Sequence, residues 1–123
     1  MEKEKLLRIY MFIFGFLNVF VIPVLTFFFG DIMLWQPRNI PTEMMINVIY
    51  ISMGIVMLII ARNPLTHKGF VDFIILSSIL HALVMFFYAE NLFHIGDVIV
   101  LGAMGLIPLI IYPWKIKKFL SYK

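Results

Sequence analysis

Long apolar runs separated by short polar segments dominate the pattern of this sequence. Four of the runs approach the roughly 20 mainly apolar residues that a helix needs to cross a bilayer. We place these four helices at residues 9–29, 44–61, 70–89 and 92–112. The runs lack the period-2 alternation of a membrane-spanning β-strand, and backbone groups in lipid must be hydrogen-bonded within the protein. The pattern therefore predicts an all-α polytopic membrane protein, with one domain over residues 1–123.

The connections between the runs predict how the four helices are arranged. The connection at 30–43 is the longest, and the other two are short. Short connections place consecutive helices side by side and in opposite directions. We therefore predict an antiparallel up-down bundle.

Composition supports a lipid environment. Hydrophobic residues make up 63% of the chain and charged residues only 14%, whereas about a quarter of the residues of soluble domains are charged. A soluble domain of this size could not bury so much apolar surface. The chain has no cysteine, which excludes disulfides and thiolate metal sites. The basic residues flank the apolar runs and form no face that could follow a phosphate backbone, so we expect no nucleic-acid partner.

The positions of the basic residues predict the orientation. Nine of the ten lie near the chain ends or between the second and third helices: Lys3, Lys5, Arg8, Arg62, Lys68, Lys115, Lys117, Lys118 and Lys123. Arg38 is the exception. Since basic residues are enriched in cytoplasmic segments, both termini are expected in the cytoplasm.

Residues 77–98 bring titratable side chains close together around one short connection. His81 lies roughly 12 Å below the outer turn, and Asp97 roughly 7 to 8 Å below it, at 1.5 Å per residue. His94 and Asp97 share one face of the fourth helix, and Glu90 lies at the turn. Neighbouring helices about 8 to 10 Å apart would let these side chains approach one another. We predict an outward-facing polar site.

Two more polar side chains are candidates for this site. Asn47 is expected at about the depth of Asp97, near the outer end of the second helix. Ser78 shares a helical stripe with His81. Small and polar residues on a helix in lipid indicate a face that packs against protein, so packing alone would also explain Ser78.

The polar site has several interpretations. The first is a structural hydrogen bond between His81 and Asp97. The second is binding of a proton or cation, since an imidazole beside a carboxylate can hold a proton near neutral pH. The third is a metal site in which His81, His94 and Asp97 bind a divalent ion. The fourth is hydrolytic chemistry that uses Ser77 or Ser78 with His81, which no nucleophile-elbow motif supports. The sequence requires no cofactor.

Polar residues also lie in the predicted cytoplasmic connection. Arg62, His67 and Lys68 are expected at the inner membrane interface. Contact with lipid headgroups is one interpretation. A site for a cytoplasmic ligand or partner is the other.

Two stretches, RNPLTHKGFVDFIILSSILHALVMF at 62–86 and HIGDV at 94–98, resemble a group of small bacterial four-helix membrane proteins of unknown function. Its members share an R-[ND]-P-x-x-H-[KR] loop, an S-S-x-x-H-A-x-V-M third helix and a G-D-V start of the fourth. The resemblance covers about the C-terminal half of the chain and implies a location in the bacterial inner membrane, without an activity. The matching positions are Arg62, Pro64, His67, Ser78, His81, Met85, Gly96 and Asp97.

Three functions follow as hypotheses. The first is proton, cation or small-solute transport, or a channel, through the outward-facing site. The second is an accessory or assembly subunit of a larger membrane complex, in which the polar pairs only fix helix packing. The third is a metal-binding membrane protein or a membrane enzyme. The expected partners are the lipid bilayer and either further copies of the chain or a larger complex.

Overall fold

The computed structural model describes residues 2–111, which are helical apart from short connections and contain no β-strand. Four helical spans are long and apolar enough to cross a membrane, which confirms the prediction of an all-α chain with four membrane-spanning helices. The elements are α1 (Glu2–Phe16), a π-helical turn (Leu17–Val21), α2 (Ile22–Met33), α3 (Ile40–Ile60), a 3-10 turn (Pro64–His67), α4 (Lys68–Phe87) and α5 (Leu92–Ile111). The first span comprises α1, the π turn and α2.

Three helices begin earlier than the apolar pattern predicts, α4 by only two residues, at Lys68 rather than at residue 70. α1 begins at Glu2 rather than at residue 9, because Glu4 and Arg8, one turn apart, form an ion pair at 2.7 Å that favours helix before the apolar run. α3 begins at Ile40 rather than at residue 44, because the Asn39 side chain accepts a hydrogen bond from the Thr42 N–H at 3.2 Å and caps the helix. The predicted end of the fourth helix at 112 lies outside the described residues.

A proline changes the hydrogen bonding of the first span. Pro23 has no N–H, and its ring collides with the carbonyl four residues earlier in a regular helix. The turn before it widens, so that the Ile22 N–H bonds to the Leu17 carbonyl, five residues back. This π turn lets the span continue past the proline instead of ending there.

Glycines allow two helix pairs to approach closely. A Cβ atom added to Gly54 of α3 would lie 2.8 Å from the Gly15 carbonyl oxygen of α1. A Cβ atom added to Gly105 of α5 would lie 2.7 Å from Ile79 of α4. The backbones of α1 and α3, and those of α4 and α5, therefore touch where a larger residue would separate them. α1 also contacts α5, whereas α3 and α4 do not pack closely along their length in the described chain.

The core lies where α1, α3, α4 and α5 converge. Fully buried side chains come from each of these helices: Leu7, Met11, Met57, Val71, Ile74, Ile75 and Met104. Asn18, from the π turn, is also buried, and its Nδ2 lies 3.7 Å from the Met104 sulfur and 3.8 Å from the Met57 sulfur. The core is thus almost entirely apolar.

The two ends of the molecule are called the Pro64 end and the Trp35 end, after a residue found at each. At the Pro64 end, α1 contacts the 3-10 turn. At the Trp35 end, the Trp35 indole N–H donates to the Tyr88 carbonyl at 2.9 Å and joins the α2–α3 connection to the α4–α5 connection.

Arg38 holds the α2–α3 connection together. Its guanidinium donates to Glu43 Oε2 at 2.7 Å and to Asp31 Oδ1 at 2.9 Å. These hydrogen bonds raise the pKa of Arg38 above its ordinary value, and the bond to Glu43 contributes most. A Cβ atom on Gly30 would lie 2.5 Å from this guanidinium, so Gly30 leaves the space that Arg38 occupies.

We expect Gly54→Ala to lower the free energy of unfolding by about 1–3 kcal/mol, because the methyl group would push α1 and α3 apart. Gly102→Ala is the matched control, since a Cβ atom there would meet nothing within 4 Å in the part of the chain that the structure describes. It should be neutral or slightly stabilising, by up to about 1 kcal/mol. Reversible unfolding in detergent, followed by circular dichroism, measures both. Equal effects would contradict the close contact.

Candidate functional site

A groove of about 540 Å³ lies between α3 and α4, with Leu101 of α5 also lining it. Apolar side chains such as Ile49, Met53 and Phe73 form most of its wall. Ile49 and Phe73 are 65% and 57% exposed, so the groove opens on the side of the molecule that faces lipid when the spans cross a membrane. It exists because α3 packs on α1 and α4 packs on α5, which leaves the space between the two pairs unfilled.

One polar contact crosses this groove. The Tyr50 hydroxyl of α3 lies 2.9 Å from Nδ1 of His81 of α4. The two rings are stacked at 5.8 Å between centroids with 17° between their planes. Both side chains are half-buried, and both line the groove. Tyr50 and His81 therefore connect two helices that otherwise stand apart.

The serines of the groove are mostly bonded to their own helices. Ser52 donates to the Val48 carbonyl at 2.7 Å, and Ser77 donates to the Ile74 carbonyl at 3.4 Å. Ser78 is buried on the face of α4 that packs against the protein, and it lines the groove one turn before His81. This leaves Tyr50, His81 and Ser78 as the polar groups that an occupant of the groove meets.

The predicted hydrogen bond between His81 and Asp97 is wrong. His81 Nδ1 is taken by Tyr50, and Asp97 makes no hydrogen bond or ion pair with any residue in 2–111. Asp97 is half-buried and lies near enough to Tyr50 and His94 to interact with both electrostatically. Depth alone placed His81 beside Asp97, but the side chain that reaches His81 comes from α3.

His94 belongs to a separate cluster at the Trp35 end. It is 1% exposed, and the Trp35 ring stacks on it at 3.7 Å between centroids with 10° between the planes. Its Nδ1 accepts a hydrogen bond from the Glu90 N–H at 3.1 Å, and the Asn91 side chain accepts one from the His94 N–H at 3.0 Å. Glu90 thus contributes its backbone to the cluster, while its side chain is exposed. This arrangement encloses the imidazole and fixes the first turn of α5.

Asn47 is not part of either cluster. Its Nδ2 donates to the Thr26 hydroxyl at 3.0 Å, and Thr26 lies on α2. This contact joins α2 to α3. The sequence pattern predicts Asn47 in the outward-facing site, whereas its observed partner is Thr26.

The predicted metal site is not formed. No group of three His, Cys, Asp or Glu side chains within residues 2–111 lies close enough to hold a metal ion. The reason is the separation just described: His81 is bonded to Tyr50, and His94 lies beneath Trp35. His81, His94 and Asp97 are therefore wrong as a ligand set.

Three exposed side chains lie at the Pro64 end: Arg62 before the 3-10 turn, His67 as its last residue and Lys68 after it. Their exposure agrees with a position at a membrane surface. Contact with lipid headgroups stays a prediction.

Tyr50 and Trp35 are the two site residues that the sequence analysis missed. Tyr50 had a signal: it lies three residues after Asn47 and four before Gly54, on one helical stripe of polar and small residues. For Trp35 the sequence contains no signal except an aromatic residue near a membrane interface. A connection between helices can fold back in many ways, so its contact with His94 could not be predicted.

A family model described as a family of unknown function, DUF6632, matches residues 2–112. No curated protein and no solved structure matches the chain.

A double-mutant cycle tests the partner of His81. We expect Tyr50→Phe and His81→Ala to couple by about 0.5–1.5 kcal/mol in the free energy of unfolding, because each removes the same hydrogen bond. His81→Ala and Asp97→Asn should be additive within about 0.5 kcal/mol. Unfolding in detergent, measured for the single and double variants, gives both values. Stronger coupling to Asp97 than to Tyr50 would contradict the observed contact.

Proposed function

The chain belongs to the DUF6632 family, and we propose that it is a membrane protein that binds a lipid-soluble molecule in the groove between α3 and α4. The observation that carries this proposal is an apolar groove, open toward lipid, with one polar pair inside it. Small-molecule sites in proteins combine a mostly apolar wall with a few placed polar groups. Tyr50 and His81 would supply that polar part.

The size of the groove favours a small molecule over a helix from a partner. Ligand pockets usually measure roughly 300–1,000 Å³, and this groove measures about 540 Å³. A 20-residue helix is roughly 30 Å long and 10 Å across, which makes a cylinder of roughly 2,400 Å³. Such a helix could cover the groove but not occupy it. A hydrocarbon chain with a polar group fits the space better.

The proposal includes a membrane location and an orientation. We place the spans antiparallel in a bacterial inner membrane, with both termini and the Pro64 end in the cytoplasm, because nine of the ten basic residues then lie inside. His81 lies six residues before the end of α4 at Phe87, or roughly 9 Å along the helix. The polar pair would then lie in the outer half of the bilayer, within reach of a molecule from the outer leaflet.

One observation favours a second candidate, transport of a proton, a cation or a small solute. Asp97 is a half-buried carboxylate inside a span, without a hydrogen-bonding partner in residues 2–111. Ionisable groups in that position often mark a pathway, since a membrane-embedded charge costs about 2.5–3.5 kcal/mol on insertion scales. Asp97 would bind the ion directly.

Photolabelling tests the lipid-binding proposal. A fatty acid that carries a diazirine, incorporated into liposomes with the protein, should label residues that line the groove, such as Ile49, Met53 and Phe73. We expect Ser77→Phe to reduce this labelling several-fold, because its ring would fill the groove. Leu76→Phe is the matched control, since Leu76 is exposed and lies outside the groove. Labelling spread evenly over all lipid-facing residues, and unchanged in Ser77→Phe, would overturn the proposal.

Flux through proteoliposomes tests the transport candidate. A pH-sensitive dye inside the vesicles should report proton flux for the unchanged protein and its loss in Asp97→Asn. Glu90→Gln makes the same chemical change on an exposed side chain and should leave flux unaltered. Equal flux in the unchanged protein and in Asp97→Asn would remove Asp97 as the carrier.

A further inference from the structure

The hydrogen bond between Tyr50 and His81 determines what the groove can recognise. An imidazole that accepts at Nδ1 carries its proton on Nε2, and one that donates from Nδ1 leaves Nε2 as an acceptor. The two arrangements present opposite hydrogen-bonding groups to an occupant. The direction of this one bond therefore decides between them.

The surroundings decide the direction. If the Tyr50 hydroxyl donates to Nδ1, only one donor of this pair, the Nε2–H of His81, has no acceptor within residues 2–111. If Nδ1 donates instead, both the Tyr50 O–H and the bare Nε2 lack partners within residues 2–111. Unpaired polar groups are costly where water is excluded. The first arrangement leaves fewer of them, which favours Tyr50 as the donor and the proton of His81 on Nε2.

Competing donors in the groove are few. The hydroxyls of Ser52 and Ser77 are committed to carbonyl groups of their own helices. Ser78 lies three residues before His81 on α4, shares its face and lines the same groove. Its hydroxyl can rotate toward an occupant. The groove therefore presents the Nε2–H of His81 as its main donor, with Ser78 beside it.

We propose that the groove selects lipid-soluble molecules with a carbonyl oxygen, which accepts a hydrogen bond from His81 Nε2–H, and that Tyr50 is the positioning residue that fixes this tautomer. A carbonyl oxygen has two lone pairs, so it can accept from Ser78 as well. The remainder of such a molecule, a hydrocarbon chain, matches the apolar wall. This inference rests on the proposed lipid-binding function and adds the chemical class of the ligand.

Competition between two probes of equal chain length tests the selection. Heptadecan-2-one and heptadecane each compete with the diazirine fatty acid for the groove, and they differ only in the carbonyl oxygen. We expect the ketone to compete about three- to tenfold better, the factor that one neutral hydrogen bond supplies. His81→Leu should abolish this preference. His67→Leu, the same change at an exposed histidine outside the groove, should preserve it.

A spectroscopic readout tests the role of Tyr50 without a ligand. Nitrogen-15 NMR of histidine-labelled protein should show His81 protonated on Nε2 and bare on Nδ1. In Tyr50→Phe this preference should weaken, and the ketone preference should fall with it.

The outcomes separate the two proposals. If both probes compete equally, the groove binds lipid-soluble molecules without selecting a carbonyl, and only this inference is wrong. A proton on Nδ1 in the unchanged protein would overturn it as well. If neither probe competes and labelling is not confined to the groove, the lipid-binding function itself is wrong.

Discussion

Polar side chains inside a membrane span are costly unless they find partners within the protein, because the hydrocarbon core offers no water. Within residues 2–111, three such contacts with oxygen or ring-nitrogen acceptors join different helices, besides the weaker bonds from Asn18 to the sulfurs of Met57 and Met104. Thr26 and Asn47 join α2 to α3, Tyr50 and His81 join α3 to α4, and the Tyr10 hydroxyl donates to the Met104 carbonyl to join α1 to α5. The spans expose large apolar side chains to lipid, so these few bonds give the arrangement much of its specificity.

Close packing explains why a groove remains. Gly54 draws α3 against α1, and Gly105 draws α5 against α4. No glycine contact of this kind links α3 to α4 in the described helices, and bulky side chains such as Met53 and Phe73 stand at that boundary instead. In lipid there is little hydrophobic force to close such a space, since acyl chains solvate apolar side chains as well as other side chains do. The Tyr50–His81 pair can therefore span an open groove without pulling it shut.

The sequence predicts the spans well, because the length and apolarity of a membrane helix are local properties. Four of the polar residues that it singles out lie at contacts or in the groove: His81, His94, Asn47 and Ser78. It does not predict their partners. Counting residues from a turn gives the depth of a side chain along its helix. It does not give the rotation of that helix about its axis, which decides the neighbouring helix that the side chain faces. Depth made Asp97 a plausible partner for His81, whereas the contact with Tyr50 depends on where α3 is held by α1.

The separation of the titratable groups bears on how a ligand could reach the site. A pathway across the membrane needs polar groups in succession. Asp97 lies near Tyr50 and His94, but these groups and His81 all lie toward the Trp35 end. Between these groups and the Pro64 end lies an almost wholly apolar core that contains Met57, Ile74 and Met104. Transport through the centre would require these side chains to move apart.

The groove needs no such change, because Ile49 and Phe73 already lie exposed on its walls. A molecule dissolved in the bilayer could enter it from the side, and it would meet a hydrogen-bonding group only at Tyr50, His81 and Ser78. These features support the proposed recognition within the plane of the membrane more than they support the transport candidate.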